Sequence, residues 1–124
     1  MYNFYLTTED LLKSEDFPVV ALLNEACNTD IIVFVNNLCD GIGSGYNYSN
    51  CSFWDDLDEY EQSNIQKFDG LWISNEGNED VIISLQDFDY YLELLYQRLL
   101  GVDFPSISKL RALLDRFEGK IITK

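Results

Sequence analysis

The chain predicts an α+β fold, a small antiparallel sheet flanked by about four helices in a single domain spanning residues 1–124. Three observations lead there. The 124 residues are 47% hydrophobic and 15% aromatic, which is enough apolar material for one core and too much for a disordered chain. Two stretches of helical periodicity precede, and two follow, a pair of short β-branched runs separated by turn formers. No repeat, low-complexity tract or long linker divides the chain.

Asp16 followed by Phe17-Pro18 reads as an N-cap with proline in the first helical turn, and Val19, Leu22, Leu23 and Ala26 then recur at helical spacing. A helix over about 17–27 is expected. Thr29-Asp30 restarts the pattern, with Ile31, Val35, Leu38 and Cys39 on one stripe and Gly41 placed to end it. The β-branched run Ile31-Ile32-Val33 would also suit a strand, but the caps and the length favour helix. Gly41-Ile42-Gly43-Ser44-Gly45 resembles a phosphate loop only superficially. No predicted strand precedes it and no Lys-Ser or Lys-Thr follows, so it reads as a flexible connection.

Cys51 to Trp54 is short and aromatic, as an edge strand would be. Phe68 to Ser74 alternates, with Phe68 and Trp72 on one side and Leu71 and Ile73 on the other. Asn75 to Asp80 is rich in turn formers, and Val81-Ile82-Ile83 returns as the second arm of a hairpin. The alternation is read here as placing Trp72 with Phe68 in the core. Gly70 reads as a strand distortion or a point of close packing. Ser84-Leu85-Gln86-Asp87 resembles a capping box, and Leu85, Phe88, Leu92, Leu95 and Leu99 form a stripe ending before Gly101. Pro105-Ser106 opens a last helix that Gly119 is expected to end.

The formal net charge is -14, from 22 acids and 8 bases. That balance opposes binding to nucleic acid, because phosphate contacts need Lys and Arg, and favours a basic protein as partner. Residues 1–97 hold 19 of the acids and only Lys13 and Lys67, whereas Arg98, Lys109, Arg111, Arg116, Lys120 and Lys124 make the last segment basic. An acidic binding face therefore belongs to the body of the chain and excludes the C-terminal segment. Cys27, Cys39 and Cys51 form no C-x-x-C pair and there is no histidine, which argues against a zinc site and a disulfide framework and for free thiols in a reducing compartment. Met1 to Tyr5 lacks the features of a signal peptide, and apolar runs such as Ile31 to Val35 are too short to span a membrane. A cytoplasmic location is the expectation.

Without histidine, Ser-His-Asp and Cys-His catalysis in their usual form are excluded. Asp56, Asp58 and Tyr60 begin like a calcium loop, but Glu61 stands where the loop glycine belongs and no bidentate Glu closes it. Neither an enzyme nor a metal or cofactor site is expected. The stretch Trp54-Asp55-Asp56-Leu57-Asp58-Glu59-Tyr60-Glu61 holds five carboxylates in eight residues, with aromatics among them. Charges alone could be a solvated face. Carboxylates around aromatic anchors are what an inhibitor of a cationic enzyme needs: charge steers the encounter and apolar area holds the complex. Asp55, Asp56, Asp58, Glu59 and Glu61 are the candidate charge partners, and Trp54 and Tyr60 the candidate anchors, although Trp54 could equally fill the core beside Phe53. Glu76, Glu79 and Asp80 form a second acidic candidate in the hairpin loop.

The ordered series Gly41-Ile42-Gly43-Ser44-Gly45, Trp54 to Tyr60, Phe68-x-Gly70-Leu71, Val81-Ile82-Ile83-Ser84 and Phe88-x-x-Tyr91-Leu92 resembles the ribonuclease-toxin immunity proteins of bacterial contact-dependent growth inhibition systems. The resemblance covers roughly residues 30 to 100. It implies a non-enzymatic, cytoplasmic protein that binds the C-terminal nuclease domain of a cognate toxin and blocks its RNase active site. It points to a basic toxin domain of the EndoU type as the partner, with no nucleic acid and no membrane involved. Two rivals remain on the residues alone: a general acidic mimic of nucleic acid that binds basic nucleases or other DNA- or RNA-handling proteins, and a small carboxylate-metal enzyme.

Overall fold

The computed structural model describes residues 2–122; Met1 of the N-terminal reading and Lys124 of the basic C-terminal segment lie outside the described residues. The architecture is α+β in a single domain. Its helices are α1 (Phe17–Cys27), α2 (Ile31–Cys39), α3 (Glu59–Asn64), α4 (Leu85–Leu100) and α5 (Ile107–Ile122). Its strands are β1 (Ser44–Gly45), β2 (Ser49–Ser52), β3 (Leu71–Asn75) and β4 (Val81–Ile83), in the order β1-β2-β3-β4, every neighbouring pair antiparallel. None of the described helices alone is long and apolar enough to cross a membrane.

The helix α1 is the centre of the packing. Nine of its eleven residues are buried, including Val19, Val20, Leu22, Leu23 and Ala26, and it lies against β2 and β3 on one side and α4 on another. Each such Val or Leu contributes about 1.5–3 kcal/mol by leaving water. Asp16 precedes the helix as expected, but its carboxylate makes no cap bond. It is buried and accepts the Tyr91 hydroxyl at 2.8 Å, while that hydroxyl accepts the Leu12 N–H at 2.7 Å. A buried phenol needs a partner, and that need outweighs the cap.

Asp30 does cap α2, accepting from the Val33 N–H at 3.1 Å, and Gly41 follows it at φ +74°. Ser84 caps α4 through the Asp87 N–H. Both α2 and α4 pack on α5. The last helix does not stop at Gly119: it runs on to Ile122, and Ile121 packs against the core, a tertiary gain that overrides the glycine's poor helix propensity.

The connection from Gly41 to Gly45 ends in the sheet, as β1, and is not wholly a flexible loop. Ser44 pairs with Cys51 and Gly45 with Asn50. Gly43 is required there, because a Cβ would lie 2.2 Å from the Cys51 carbonyl oxygen. Cys51 accordingly sits on an interior strand and not on an edge strand, and the chain leaves that strand at Phe53 to form a 3-10 turn, Trp54–Asp56. On one sheet face Cys51, Leu71, Ile73 and Ile83 are buried in the core. The other face carries Asn50, Ser52, Trp72, Ser74 and Ile82, with Trp72 paired between Ser52 and Ile82.

Candidate partner-binding surface

The acidic stretch folds as two short turns of helix, the 3-10 turn and α3, which the sequence pattern did not predict. Its acids are not equivalent. Asp56 Oδ2 accepts the Phe53 N–H at 2.7 Å and the Gly43 N–H at 3.0 Å, so this carboxylate fastens the turn to the glycine loop before β1. Asp58 caps α3, accepting the Glu61 N–H at 2.8 Å, and Glu61 Oε1 accepts the Asp58 N–H at 3.2 Å in return. Three of the five acids thus organise backbone. Asp55 and Glu59 are exposed and carry no hydrogen bond or ion pair among the described residues, which leaves both free to meet a partner.

The aromatics rearrange the expected anchor set. Trp72 is not in the core: Leu71 and Ile73 take the buried face, and strand alternation puts Trp72 on the open one, partly exposed. Phe68 precedes β3 and meets Trp72 edge-on at 6.2 Å, and Trp54 meets Phe68 edge-on at 5.5 Å. Trp54 is therefore partly buried in a surface row of three rings and not in the core beside Phe53. Trp72 Nε1 donates to Asp80 Oδ2 at 2.9 Å, which ties the hairpin-loop acids to the far end of the row. The row joins the two acidic candidates, segment 54–61 at one end and segment 76–80 at the other. Ile82, beside Trp72, is 54% exposed and extends the apolar area. Tyr60 stands apart, 77% exposed and without a ring contact among the described residues.

No protein-family model matches the chain, and no curated protein matches it.

The three arginines of the C-terminal segment are already engaged with acids. Arg98 is bidentate to Asp10 and also donates to the Tyr5 carbonyl, Arg116 reaches Asp40 at 3.0 Å, and Arg111 is bidentate to Glu93 while also bonding Asp115. None of these pairs uses an acid of the 54–61 or 76–80 segments, and no ion pair involves those acids among the described residues. Three carboxylates, Asp89, Glu93 and Glu118, converge on the α4–α5 seam with ligand atoms within 4.8 Å of one another, and they are not the acids of the calcium-loop-like stretch. Burial, then the charges of Glu93 and Glu118, push the Asp89 carboxyl up to about 6. The Arg111 guanidinium on Glu93 already supplies positive charge to this cluster.

Proposed function

We propose that this chain is an immunity protein that binds the C-terminal ribonuclease domain of a contact-dependent growth inhibition toxin and keeps RNA from its active site. The observation that carries the reading is the row Trp54, Phe68 and Trp72 on the open sheet face, with acids at both ends. Aromatic area supplies affinity that salt does not screen, while uncompensated Asp55, Glu59 and the hairpin acids select a cationic surface. An RNase must present cations to its substrate, and this face is its electrostatic complement. The resemblance in the ordered motifs supports the same reading, with the protein acting in the cytoplasm on a toxin of the EndoU type and performing no catalysis of its own. Asp56, Asp58 and Glu61 would hold the surface in shape, and Trp72 joins Trp54 as an anchor.

The test is RNA cleavage by the toxin domain encoded beside this protein, titrated with the protein at low and at high salt. Activity should stop at an equimolar ratio under both conditions, with an unrelated basic RNase unaffected. The Trp72→Ala variant should weaken inhibition by about tenfold or more, the loss expected of a central anchor. Inhibition of any basic RNase that vanishes with salt would replace this reading with the acidic-mimic one.

A further inference from the structure

A cleft of about 490 Å³ opens between the N-terminal segment, α1 and the sheet end at Tyr48 and Asn75, and no residue of the aromatic row lines it. Its walls include Tyr2, Phe4, Phe17 and Tyr48, and Glu25 of α1 is among the residues lining it. The wall is built deliberately. Asn24 Oδ1 accepts the Tyr5 and Leu6 N–H groups and its Nδ2 donates to the Leu6 carbonyl, while Asn28 makes the same exchange with Asn3. Two side-chain amides one helical turn apart thus hold the N-terminal segment along α1.

Glu25 is only 8% exposed. Its Oε2 accepts the Tyr48 N–H at 3.0 Å, and its Oε1 is buried without a hydrogen-bond partner among the described residues. Among the described residues no Lys or Arg lines the cleft. A carboxylate left half-satisfied beside an apolar cleft is costly unless a donor arrives from outside. The Tyr2 phenol is raised by burial first and by the Glu25 charge second, so the carboxylate is felt at the aromatic wall.

We propose that this cleft binds an organic cation with an apolar stem, an alkylammonium or alkylguanidinium, whose charged head pairs with Glu25 while the aromatic rings cover its stem. The head group donates to the unpartnered oxygen, and the ring faces add cation–π attraction. Because Oε1 is shielded from water, part of the wall must yield on entry. Phe4 and Tyr48, 73% and 63% exposed, are the most open of the exposed rings in the wall, and Tyr2, packed on Phe4 at 4.9 Å, is 45% exposed, so the N-terminal pair can move aside. The inference does not depend on the toxin reading, because it uses none of the residues of the aromatic row.

The experiment uses the full chain and follows tyrosine and backbone amide resonances during titration with butylammonium, butylguanidinium and the neutral isostere butyramide. The two cations should shift Tyr2, Tyr48 and Glu25 signals saturably, and butyramide should not. Glu25→Gln should weaken the cations by about tenfold or more, the loss of a charge-assisted pair. Phe4→Ala, at an exposed position that leaves folding intact, should weaken them severalfold through the lost ring. If Glu25→Gln fails to fold, the contrast between cation and butyramide together with Phe4→Ala decides the matter. A capped lysine peptide binding more tightly than butylammonium would identify the source as an inserted side chain; the reverse would identify a free amine or guanidine. Equal binding of butyramide, no binding of either cation, or a folded Glu25→Gln with unchanged affinity would overturn the proposal.

Discussion

Neighbouring acids in the 54–61 stretch have opposite jobs, and a stability measurement separates them. Asp56 receives two backbone N–H groups, from Phe53 and Gly43, whereas Asp55 receives none among the described residues. Asp56→Ala should lower unfolding free energy by about 1–2 kcal/mol, because two donors lose their acceptor at a partly solvated site. Asp55→Ala should stay within about 0.5 kcal/mol of the parent, as a surface residue outside any network does, while weakening the proposed toxin complex. Urea titration of both variants checks the contrast. Composition alone could not rank these acids, since the distinction rests on where Gly43 lies, thirteen residues earlier.

At the level of elements, the β3–β4 hairpin depends on one close approach. Gly70 has φ +92°, and a Cβ there would lie 2.1 Å from the Ile83 carbonyl oxygen. Gly70→Ala should cost about 3 kcal/mol or more, combining left-handed strain with a backbone clash, visible as a lower urea midpoint. The α4–α5 seam makes a pH prediction of opposite flavour. Asp89 in the fold holds its proton to about 6, against 3.8 for an unperturbed group. Between roughly pH 4 and pH 6 the native state binds more protons than the unfolded chain, so stability falls as pH rises through that window. Asp89→Asn should therefore match the parent near about pH 4 and exceed it at about pH 7, by roughly 1 kcal/mol once solvent screening is allowed for.

The pattern behind α1, α2 and α4 is legible because apolar periodicity agrees with a side-chain cap at α2 and α4 and with a first-turn proline at α1. The inward face of β3 is not legible from alternation, which fixes which residues share a face without saying which face is inward, and Trp72 lies on the open one. Within the strand itself the aliphatic pair Leu71 and Ile73 stands opposite the single Trp72, which is the available clue. The strand β1 and the helix α3 are too short to leave a period, and the three-ring row depends on contacts between residues 54, 68 and 72 that no local spacing encodes.

For the molecule as a whole, a net charge of -14 on 124 residues means that folding gathers like charges. Raising salt from about 0.01 M to about 0.15 M shortens the screening length from about 30 Å to about 8 Å, which relieves that repulsion. It also weakens the ion pairs of Arg98, Arg111 and Arg116, but these are partly exposed and worth at most about 1 kcal/mol each. With the acids far in excess, relief should win, and the thermal midpoint should rise by about 4 °C per 1 kcal/mol gained; a midpoint that falls with salt would show the ion pairs to dominate.

The three cysteines give this domain a property of a different sort. Cys27, Cys39 and Cys51 are all buried and unpaired, one at the end of α1, one at the end of α2 and one in the sheet. Burial pushes the Cys27 thiol up to about 12 and the Cys51 thiol up to about 11. At neutral pH the reactive thiolate is then a fraction on the order of one part in ten thousand or less, and an alkylating reagent finds these two sulfurs only when their surroundings open. The fold therefore carries its own internal clocks, whose separate alkylation rates time the opening of the central helix and of the sheet.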